Sequence, residues 1–220
     1  MTIVLDSEKT DKLLKFLNKE QREAVTYDKG PLLVLAGAGS GKTKVLTHRV
    51  AWFISQGKIR PENALLLTFT NKAAGEMKRR VLQFVNSSPV VGTFHSFCAR
   101  VLRIDGKHIG IPPGFLIYDE QDQKDAVKQI LEGFNMPTDS YQPAAILSNI
   151  SDAKNQMLTP TQYAEFVNGD WAEAVFKVYL AYEKFLKEND ALDFDDLLIK
   201  TVILFKEVPQ VLEKWQKKLT

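Results

Sequence analysis

Ala36-Gly37-Ala38-Gly39-Ser40-Gly41-Lys42-Thr43 is the stretch that decides the predicted fold of this chain. An apolar run precedes it, Pro31-Leu32-Leu33-Val34-Leu35, which is typical of a buried strand. Apolar side chains at helical spacing follow it, namely Val45, Leu46, Val50, Phe53 and Ile54. The predicted order is therefore strand, glycine-rich turn and helix, a unit from which α/β folds are built.

This order of elements suits the binding of phosphate groups. Glycine adopts backbone conformations that other residues resist, so several N–H groups of the turn can converge on one anion. The first turn of the helix adds N–H groups that lack intrahelical partners, together with the positive end of the helix dipole. The Lys42 ammonium can reach the β- and γ-phosphates, and the Thr43 hydroxyl can bind Mg²⁺.

The stretch is therefore predicted to be a P-loop that binds a nucleoside triphosphate. It departs from the strict motif at its first glycine, which is Ala36 here. The alternative is a glycine-rich turn that holds no ligand. A P-loop does not fix the function, because kinases, GTPases, transporters and helicases share it.

The composition is that of a globular protein without membrane spans. The 220 residues suit one large or two small domains, and 45% of them are hydrophobic and 25% charged. The net charge of +2 is too small to indicate a nucleic-acid partner by itself. No apolar run approaches the roughly 20 residues needed to cross a bilayer, so we expect no membrane partner.

The cysteine count and the chain ends give further expectations. Cys98 is the single cysteine, which excludes an internal disulfide and indicates a reducing compartment, the cytoplasm. Residues 1–11 show no signal-peptide pattern. Residues 215–220 stop within a helical pattern that has no cap, so we expect the chain to be truncated.

Two further apolar runs are predicted to be strands that each lead into a helix. Residues 64–69 (ALLLTF) precede a helix with Ala74, Met77, Val81 and Val85 on one face, and residues 90–94 (VVGTF) precede a helix with Phe97, Val101 and Ile104. The repeated order of strand and helix predicts a parallel sheet flanked by helices. Ligands of such sheets bind beyond the carboxyl ends of the strands.

Both of these later strands end in a Thr-Phe pair followed by polar groups. The two segments are Thr68-Phe69-Thr70-Asn71 and Thr93-Phe94-His95. Bases stack on exposed aromatic side chains, and hydroxyl groups and helix N-termini hold phosphates. The alternative is that both phenylalanines are ordinary buried residues at strand ends.

Upstream of the P-loop, a short helical region is predicted within residues 11–27, with Asn18 as N-cap. Gln21 lies in this helix, and its amide offers the donor and the acceptor that suit the edge of adenine. The alternative is a solvated residue on the helix surface.

The pattern of the sequence changes after Ile109-Gly110-Ile111-Pro112-Pro113-Gly114, where Pro and Gly predict a domain boundary. The following region is predicted to be helical over residues 123–134, 144–155 and 171–186, the last with Trp171, Val175, Val178, Tyr182 and Phe185 as a core stripe. Residues 115–118 and Asp119-Glu120 have the form of a Walker B strand with its acids. The other interpretation, which we favour, is that both acids begin a helix.

Together these pieces resemble the UvrD/Rep/PcrA family of superfamily 1 DNA helicases. Residues 17–25 resemble the Q motif, residues 36–43 motif I, residues 68–77 (TFTNKAAGEM) motif Ia and residues 92–98 (GTFHSFC) motif Ib. Residues 192–198 (LDFDDLL) resemble the segment that returns to the motor domain. The resemblance covers nearly the whole chain from about Leu17.

The resemblance implies an α/β fold of the P-loop NTPase (RecA-like) type, interrupted by a mostly α-helical insertion. Residues 1–108 and 192–220 would form subdomain 1A, and residues 109–191 the insertion, subdomain 1B. The implied function is ATP- and Mg²⁺-dependent 3′-to-5′ translocation on single-stranded DNA and unwinding of duplex DNA in repair or replication. The implied partners are single-stranded DNA, a single-strand/duplex junction and a C-terminal motor domain.

The resemblance also assigns site residues. Lys42 and Thr43 would be catalytic, and Thr43 would bind Mg²⁺. The cofactor-binding residues would be Gln21, Ala36, Gly37, Ala38, Gly39, Ser40, Gly41, Lys42, Thr43 and Lys44. The DNA-binding residues would be Phe69, Thr70, Asn71, Thr93, Phe94 and His95.

The sequence departs from the family pattern in two ways. Lys44 stands where the family often has an arginine, and an ammonium lacks the planar stacking face of a guanidinium. Motifs II to VI and the second motor domain with its arginine finger are not found in the sequence, so we expect ATP binding with little hydrolysis. The alternatives are a helicase-nuclease subunit, a stand-alone P-loop phosphotransferase and a non-catalytic binding module.

Overall fold

The helices and strands of this protein fall into two units. A computed structural model describes residues 13–219. The first unit comprises Met1–Phe94 and Glu213–Thr220, and the second comprises His95–Leu212. Residues 1–11, for which the sequence predicts no signal peptide, lie outside the described residues. Within the described part of the chain, no helix is both long and apolar enough to cross a membrane.

The first unit is an α/β arrangement around two short strands. Its elements are α1 (Lys19–Thr26), α2 (Lys42–Ser55), a 3₁₀ turn (Pro61–Asn63), β1 (Leu65–Thr68), α3 (Asn71–Val81) and β2 (Val90–Thr93). β1 and β2 pair in parallel, from Leu65 opposite Val90 to Thr68 opposite Thr93. The parallel pairing predicted for these two strands is confirmed.

The core of the first unit lies between its helices and β1. α1 packs against α2, and α3 packs against α2 and both strands. Ala74, Met77 and Val81 recur at helical spacing on the buried face of α3, as the sequence predicts. The buried residues of this core are Leu13, Leu17, Val25, Val45, Ala51, Ile54, Ala64, Leu66, Met77, Val81 and Val85.

The prediction of a strand at residues 31–35 is wrong for the described structure. These residues form no strand, and the sheet that contains β1 has only β2 as its second described strand. Leu33 and Leu35 are 80% and 85% exposed. A strand is defined by its ladder of hydrogen bonds, and within residues 13–219 no strand provides that ladder for this segment.

The second unit is mostly helical. Its elements are α4 (Phe94–Asp105, whose first residue belongs to the first unit), a 3₁₀ turn (Gly106–Ile109), β3 (Leu116–Ile117), α5 (Glu120–Gly133), α6 (Pro143–Asn155), α7 (Pro160–Tyr163), a 3₁₀ turn (Ala164–Phe166), α8 (Asp170–Glu188), β4 (Ala191–Leu192) and α9 (Phe194–Glu207). α10 (Pro209–Lys218) runs from this unit into the first. β3 and β4 pair in parallel.

The predicted core stripe of α8 is confirmed except at its ends. Val175, Val178 and Tyr182 are fully buried. They belong to one hydrophobic core cluster together with residues of α5 and α6. Trp171 is 38% exposed because it lies in the first turn of α8, where its ring stacks on Tyr141 with centroids 6.1 Å apart. Phe185 is only partly buried against the core.

A buried lysine joins α6, α8 and α9. Lys154 is 3% exposed, and its Nζ lies 2.8 Å from Glu183 Oε1, 2.8 Å from Asp193 Oδ2 and 3.0 Å from Asp196 Oδ1. The Tyr182 hydroxyl donates to Asp193 Oδ2 at 3.2 Å. Burial by itself would lower the pKa of Lys154, but the three carboxylates raise it well above its ordinary value. The ammonium therefore stays charged in the folded state.

Lys154 is the buried cation among these three carboxylates, and the partly exposed Lys200 lies 4.0 Å from the outer one, Glu183. Burial, reinforced by Asp193 and Glu183 and opposed by Lys154, raises the pKa of Asp196 to about 6. Its ordinary value in an unfolded chain is about 4. The folded state thus binds this proton more tightly than the unfolded state, so stability falls as the pH rises through this window.

We predict that Asp196→Asn removes part of the pH dependence of folding. Between pH 4 and pH 6, the free energy of unfolding of the unmodified chain should fall relative to that of the variant, by up to about 1.4 kcal/mol per pH unit. Urea denaturation followed by circular dichroism at several pH values measures both curves. Asp195→Asn is the matched control, since Asp195 forms no ion pair with Lys154. Parallel curves for Asp196→Asn and the unmodified chain would contradict the prediction.

Candidate functional site

The glycine-rich loop leads directly into α2, which begins at Lys42. Gly39 and Gly41 have φ values of 76° and 86°, in the left-handed region that favours glycine. Gly41 is the N-cap of α2, which has no side-chain cap and no acidic residue in its first turn. The N-terminal end of α2 therefore keeps its positive character, as an anion site requires.

Lys42 and Ser40 are hydrogen bonded to the loop itself. Lys42 Nζ donates to the carbonyl oxygens of Ala36 at 2.8 Å and Gly37 at 2.7 Å. The Ser40 hydroxyl also donates to the Gly37 carbonyl, at 2.7 Å. The ammonium is thus held within the loop, close to where phosphate groups would be bound.

Gln21 contacts the same loop from α1, 19 residues upstream. Its Nε2 donates to the Ser40 carbonyl at 3.0 Å, and its Oε1 accepts from the Asn18 N–H at 3.3 Å. The second contact belongs to a capping box, because the Asn18 side chain in turn accepts from the Gln21 N–H at 2.8 Å. Gln21 is therefore a half-buried residue of α1 whose carboxamide contacts the loop.

Basic side chains of α2 donate hydrogen bonds to backbone carbonyls of α1 and of the segments on either side of it. Lys44 Nζ donates to the Phe16 carbonyl at 2.5 Å. Arg49 donates to the carbonyl oxygens of Ala24, at 2.9 Å, and Tyr27. No local sequence pattern predicts this role of Arg49, since its two partners lie 25 and 22 positions before it.

The loop fits a magnesium-bound triphosphate. An anion needs convergent N–H groups and a cation, which the start of α2 and Lys42 provide. Mg²⁺ keeps several waters and takes only one or two protein oxygens besides phosphate oxygens, a role open to the exposed Thr43 at the first turn of α2. Within residues 13–219 no group of three or more His, Cys, Asp or Glu side chains could hold a metal alone.

The two Thr-Phe strand ends present aromatic rings to solvent. Phe69, directly after β1, is 90% exposed, and Phe94, directly after β2, is 45% exposed. Their ring centroids are 5.9 Å apart, tilted by 40°. The alternative of ordinary buried phenylalanines is therefore wrong. An exposed aromatic pair at the ends of parallel strands is suited to stacking against flat ligands.

The neighbouring polar residues lie at helix starts. The Thr70 side chain caps α3 by accepting from the Ala73 N–H at 3.1 Å, and Asn71 is the first residue of that helix. Thr93 is buried at the end of β2. His95 belongs to the second unit, where its half-buried ring meets the edge of Phe194 with centroids 5.5 Å apart.

Asp119 and Glu120 begin a helix, as we favoured over the Walker B interpretation. Asp119 is the N-cap of α5, and its Oδ1 accepts from the N–H groups of Gln121 at 2.8 Å and Asp122 at 3.0 Å. The hydrogen bonds from the N–H groups of Asp122 and Gln121 lower the pKa of Asp119. Glu120 pairs with Lys124 at 2.6 Å. The preceding strand, β3, pairs with β4 and not with β1 or β2.

Comparisons with known proteins give a consistent result. Residues 17–220 match the family described as "UvrD/REP helicase N-terminal domain". Similar proteins include the "ATP-dependent DNA helicase PcrA" of Staphylococcus aureus (strain Mu50 / ATCC 700699) and that of Staphylococcus epidermidis (strain ATCC 12228 / FDA PCI 1200). Each is 45% identical over 209 residues, which are 94% of this chain and 29% of the relative.

The chain thus spans under a third of the length of these curated relatives. The family implies a P-loop NTPase fold, and the described structure is mixed α/β, mostly helical, with two small parallel sheets. The glycine-rich loop and the two Thr-Phe strand ends all lie within the matched residues. The chain belongs to the UvrD/REP helicase N-terminal domain family.

Proposed function

We propose that this chain is the nucleotide-binding part of an ATP-driven DNA helicase that moves 3′-to-5′ along single-stranded DNA. The observation that carries the proposal is the structure at the start of α2. There the helix end has no side-chain cap, Gly39 and Gly41 have left-handed backbone conformations, and Lys42 is hydrogen bonded to the loop. The match to the UvrD/REP helicase family and the similarity to proteins named ATP-dependent DNA helicase support the same conclusion.

In this proposal ATP and Mg²⁺ are the cofactors of the loop. Residues 36–41 and the first turn of α2 surround the phosphates with N–H groups, Lys42 neutralises their charge and Thr43 contributes its hydroxyl to Mg²⁺. Gln21 pairs with the edge of adenine. Lys44 lies one residue beyond Thr43, and its bond to the Phe16 carbonyl supports a role in shaping this site rather than in stacking on the base.

Single-stranded DNA is the proposed second ligand. Phe69 and Phe94 offer exposed ring faces for bases, while Thr70, Asn71 and His95 provide polar groups close to them in sequence. Thr93, the remaining residue of the proposed set, is buried at the end of β2. The start of α3, just after Phe69, supplies a helix end for a phosphate. Base stacking tolerates any sequence, as a translocating motor requires.

The wider protein is proposed to follow the family layout. Residues 1–108 and 192–220 would form subdomain 1A, and residues 109–191 a helical subdomain 1B that faces the single-strand/duplex junction. A C-terminal motor domain would complete the ATP site, and repair or replication would be the setting. The mostly helical character of residues 120–188 supports the assignment of 1B.

We predict that Lys42→Ala weakens binding of MgATP to the 220-residue chain. The substitution removes a charge-assisted contact that contributes roughly 1.5–3 kcal/mol. Isothermal titration calorimetry measures the affinities, and Lys177→Ala, which removes an exposed lysine of α8, is the matched control. Equal affinity of the Lys42→Ala variant and the unmodified chain would rule out the loop as the phosphate site.

We predict that Phe69→Ala and Phe94→Ala each lower the affinity of the chain for single-stranded DNA. Each base–aromatic stack contributes about 1–3 kcal/mol, and added salt should weaken binding further. Fluorescence anisotropy with labelled single-stranded DNA provides the readout. Phe166 is 68% exposed but lies elsewhere in the chain, so Phe166→Ala is the control and should bind normally. No loss for either test variant, with folding intact, would contradict the proposal.

We also predict that the 220-residue chain binds ATP but hardly hydrolyses it. The acids of the Walker B-like segment are already used, Asp119 as a helix cap and Glu120 in an ion pair. In related phosphoryl-transfer enzymes an arginine finger from another domain or protein contributes about 10³–10⁵ in rate. A phosphate-release assay with single-stranded DNA should therefore give the same low rate for the chain and for Asp119→Asn/Glu120→Gln. Fast turnover that the double substitution abolishes in a folded protein would overturn this.

A further inference from the structure

We propose that an aromatic cleft in the second unit is a docking site for an arginine-bearing segment of a partner protein. The cleft has a volume of about 420 Å³ and lies between the end of α5, the segment before α6 and the first two turns of α8. Apolar and charged side chains share its lining, namely Phe134, Met136, Tyr141, Asp170, Glu173 and Lys177. None of these residues belongs to the glycine-rich loop or to the Thr-Phe strand ends, so the proposal does not depend on the proposed function.

The first wall of the cleft is fixed by the way α5 ends. Asn135 follows the helix with a left-handed φ of 54°, a conformation that asparagine tolerates better than most residues. The Met136 N–H donates back to the Leu131 carbonyl at 2.9 Å, so the chain reverses tightly around Phe134. Met136 packs against the core, while Phe134 remains 48% exposed. A hydrogen-bonded turn thus presents the Phe134 side chain to solvent.

The second aromatic side chain of the lining, Tyr141, is held in place by packing. Its ring is nearly parallel to that of Trp171, with an angle of 9° between the planes and 6.1 Å between the centroids. Tyr141 also packs against the hydrophobic core of the unit. Side chains that are ordered before binding cost little conformational entropy on binding. Exposed aromatic surface of this kind is typical of interaction sites.

Carboxylates from the start of α8 provide the polar side of the cleft. Asp170 and Glu173 both lie in the first turn of that helix. Glu173 pairs with Lys177 at 2.7 Å, and both side chains are 56% exposed. An ion pair this exposed contributes at most about 1 kcal/mol, so a cation of a partner can replace Lys177 beside Glu173 at little cost.

The charge of this region decides between a cationic and an anionic occupant. Residues 132–143 and 163–177 supply the lining, and Lys177 is the one basic residue within them. The same two segments contain five acidic residues, Glu132, Asp139, Glu165, Asp170 and Glu173. The whole chain carries a net charge of +2, so this excess of negative charge is local. It attracts a cation and repels the phosphates of nucleic acid, so a contact with duplex DNA would lie elsewhere on the unit.

Arginine is the cation that suits this combination of groups. Its planar guanidinium stacks on aromatic faces and also pairs with a carboxylate through two parallel hydrogen bonds. A lysine ammonium is a compact, strongly hydrated charge that cannot stack in this way. The flexible thioether of Met136 can adjust to the occupant. The volume of about 420 Å³ falls within the range of roughly 300–1,000 Å³ that is usual for ligand sites.

The test uses three short peptides of the form Gly-X-Gly-X-Gly, in which X is arginine, lysine or citrulline, the neutral analogue of arginine. The 220-residue chain has three tryptophans, Trp52, Trp171 and Trp215, whose indole N–H groups are observed by ¹H–¹⁵N NMR spectroscopy. Trp171→Phe identifies the signal of the tryptophan beside the cleft. The arginine peptide should shift this signal and leave the other two in place. The lysine peptide should need higher concentrations, and the citrulline peptide should have no effect.

Substitutions in the lining should change the affinity for the arginine peptide in opposite directions. Glu173→Gln and Phe134→Ala should each weaken it about two- to fivefold, the effect of losing an exposed ion pair or cation–π contact. Lys177→Gln removes a competing cation and should strengthen it by a similar factor. Glu188→Gln is the matched control, because Glu188 also lies in α8 and pairs with Lys184, but at the opposite end of the helix. Circular dichroism verifies that each variant is folded.

Three outcomes would overturn the proposal. The first is a Trp171 signal that the arginine peptide leaves unchanged at millimolar concentration, or that the citrulline peptide shifts equally. The second is an equal loss of affinity in Glu188→Gln and Glu173→Gln, since the overall charge and not the cleft would then be responsible. The third is a shift of the Trp171 signal by duplex DNA and not by the arginine peptide, which would assign the cleft to nucleic acid.

Discussion

The backbone conformation at Gly41 is the constraint on which the nucleotide site depends. Its left-handed φ allows the chain to leave the loop and enter α2 at the next residue, so the helix starts without a side-chain cap. A larger residue would be strained there and would also meet the Gln21 carboxamide at 3.0 Å. One residue without a side chain thus provides both the uncapped helix end and the close approach of α1.

Local sequence signals predicted most of the elements correctly. The helices that begin after Asn18, Asp119 and Asp193 each start with a reciprocal capping box, in which two side chains and two N–H groups satisfy one another. The apolar runs of β1 and β2 predicted their parallel pairing, and the glycine-rich loop and Gln21 lie side by side. Such features depend on a few neighbouring residues, so their pattern is present in the sequence.

Long-range contacts could not be predicted in this way. β3 and β4 are two residues each and pair across more than 70 positions, which no periodicity reveals. Lys154 is on a helix whose pattern gives no reason to bury a cation, because its three carboxylate partners come from α8 and the start of α9. The exposure of Phe69 and of residues 32–35 likewise depends on which elements cover them, and hydrophobicity alone favours burial.

The apolar segment before the P-loop has a consequence for how the protein behaves in concentrated solution. Leu32, Leu33, Val34 and Leu35 form an exposed run that has no strand partner within residues 13–219. Such a run is a template for pairing with a second copy of itself, and proteins restrain it with flanking charges and proline. Asp28, Lys29 and Pro31 lie within the four residues before it, and charges and proline at such positions oppose this pairing. On the other side, the glycines of the loop have little tendency to extend a strand, so the exposed apolar run is kept short.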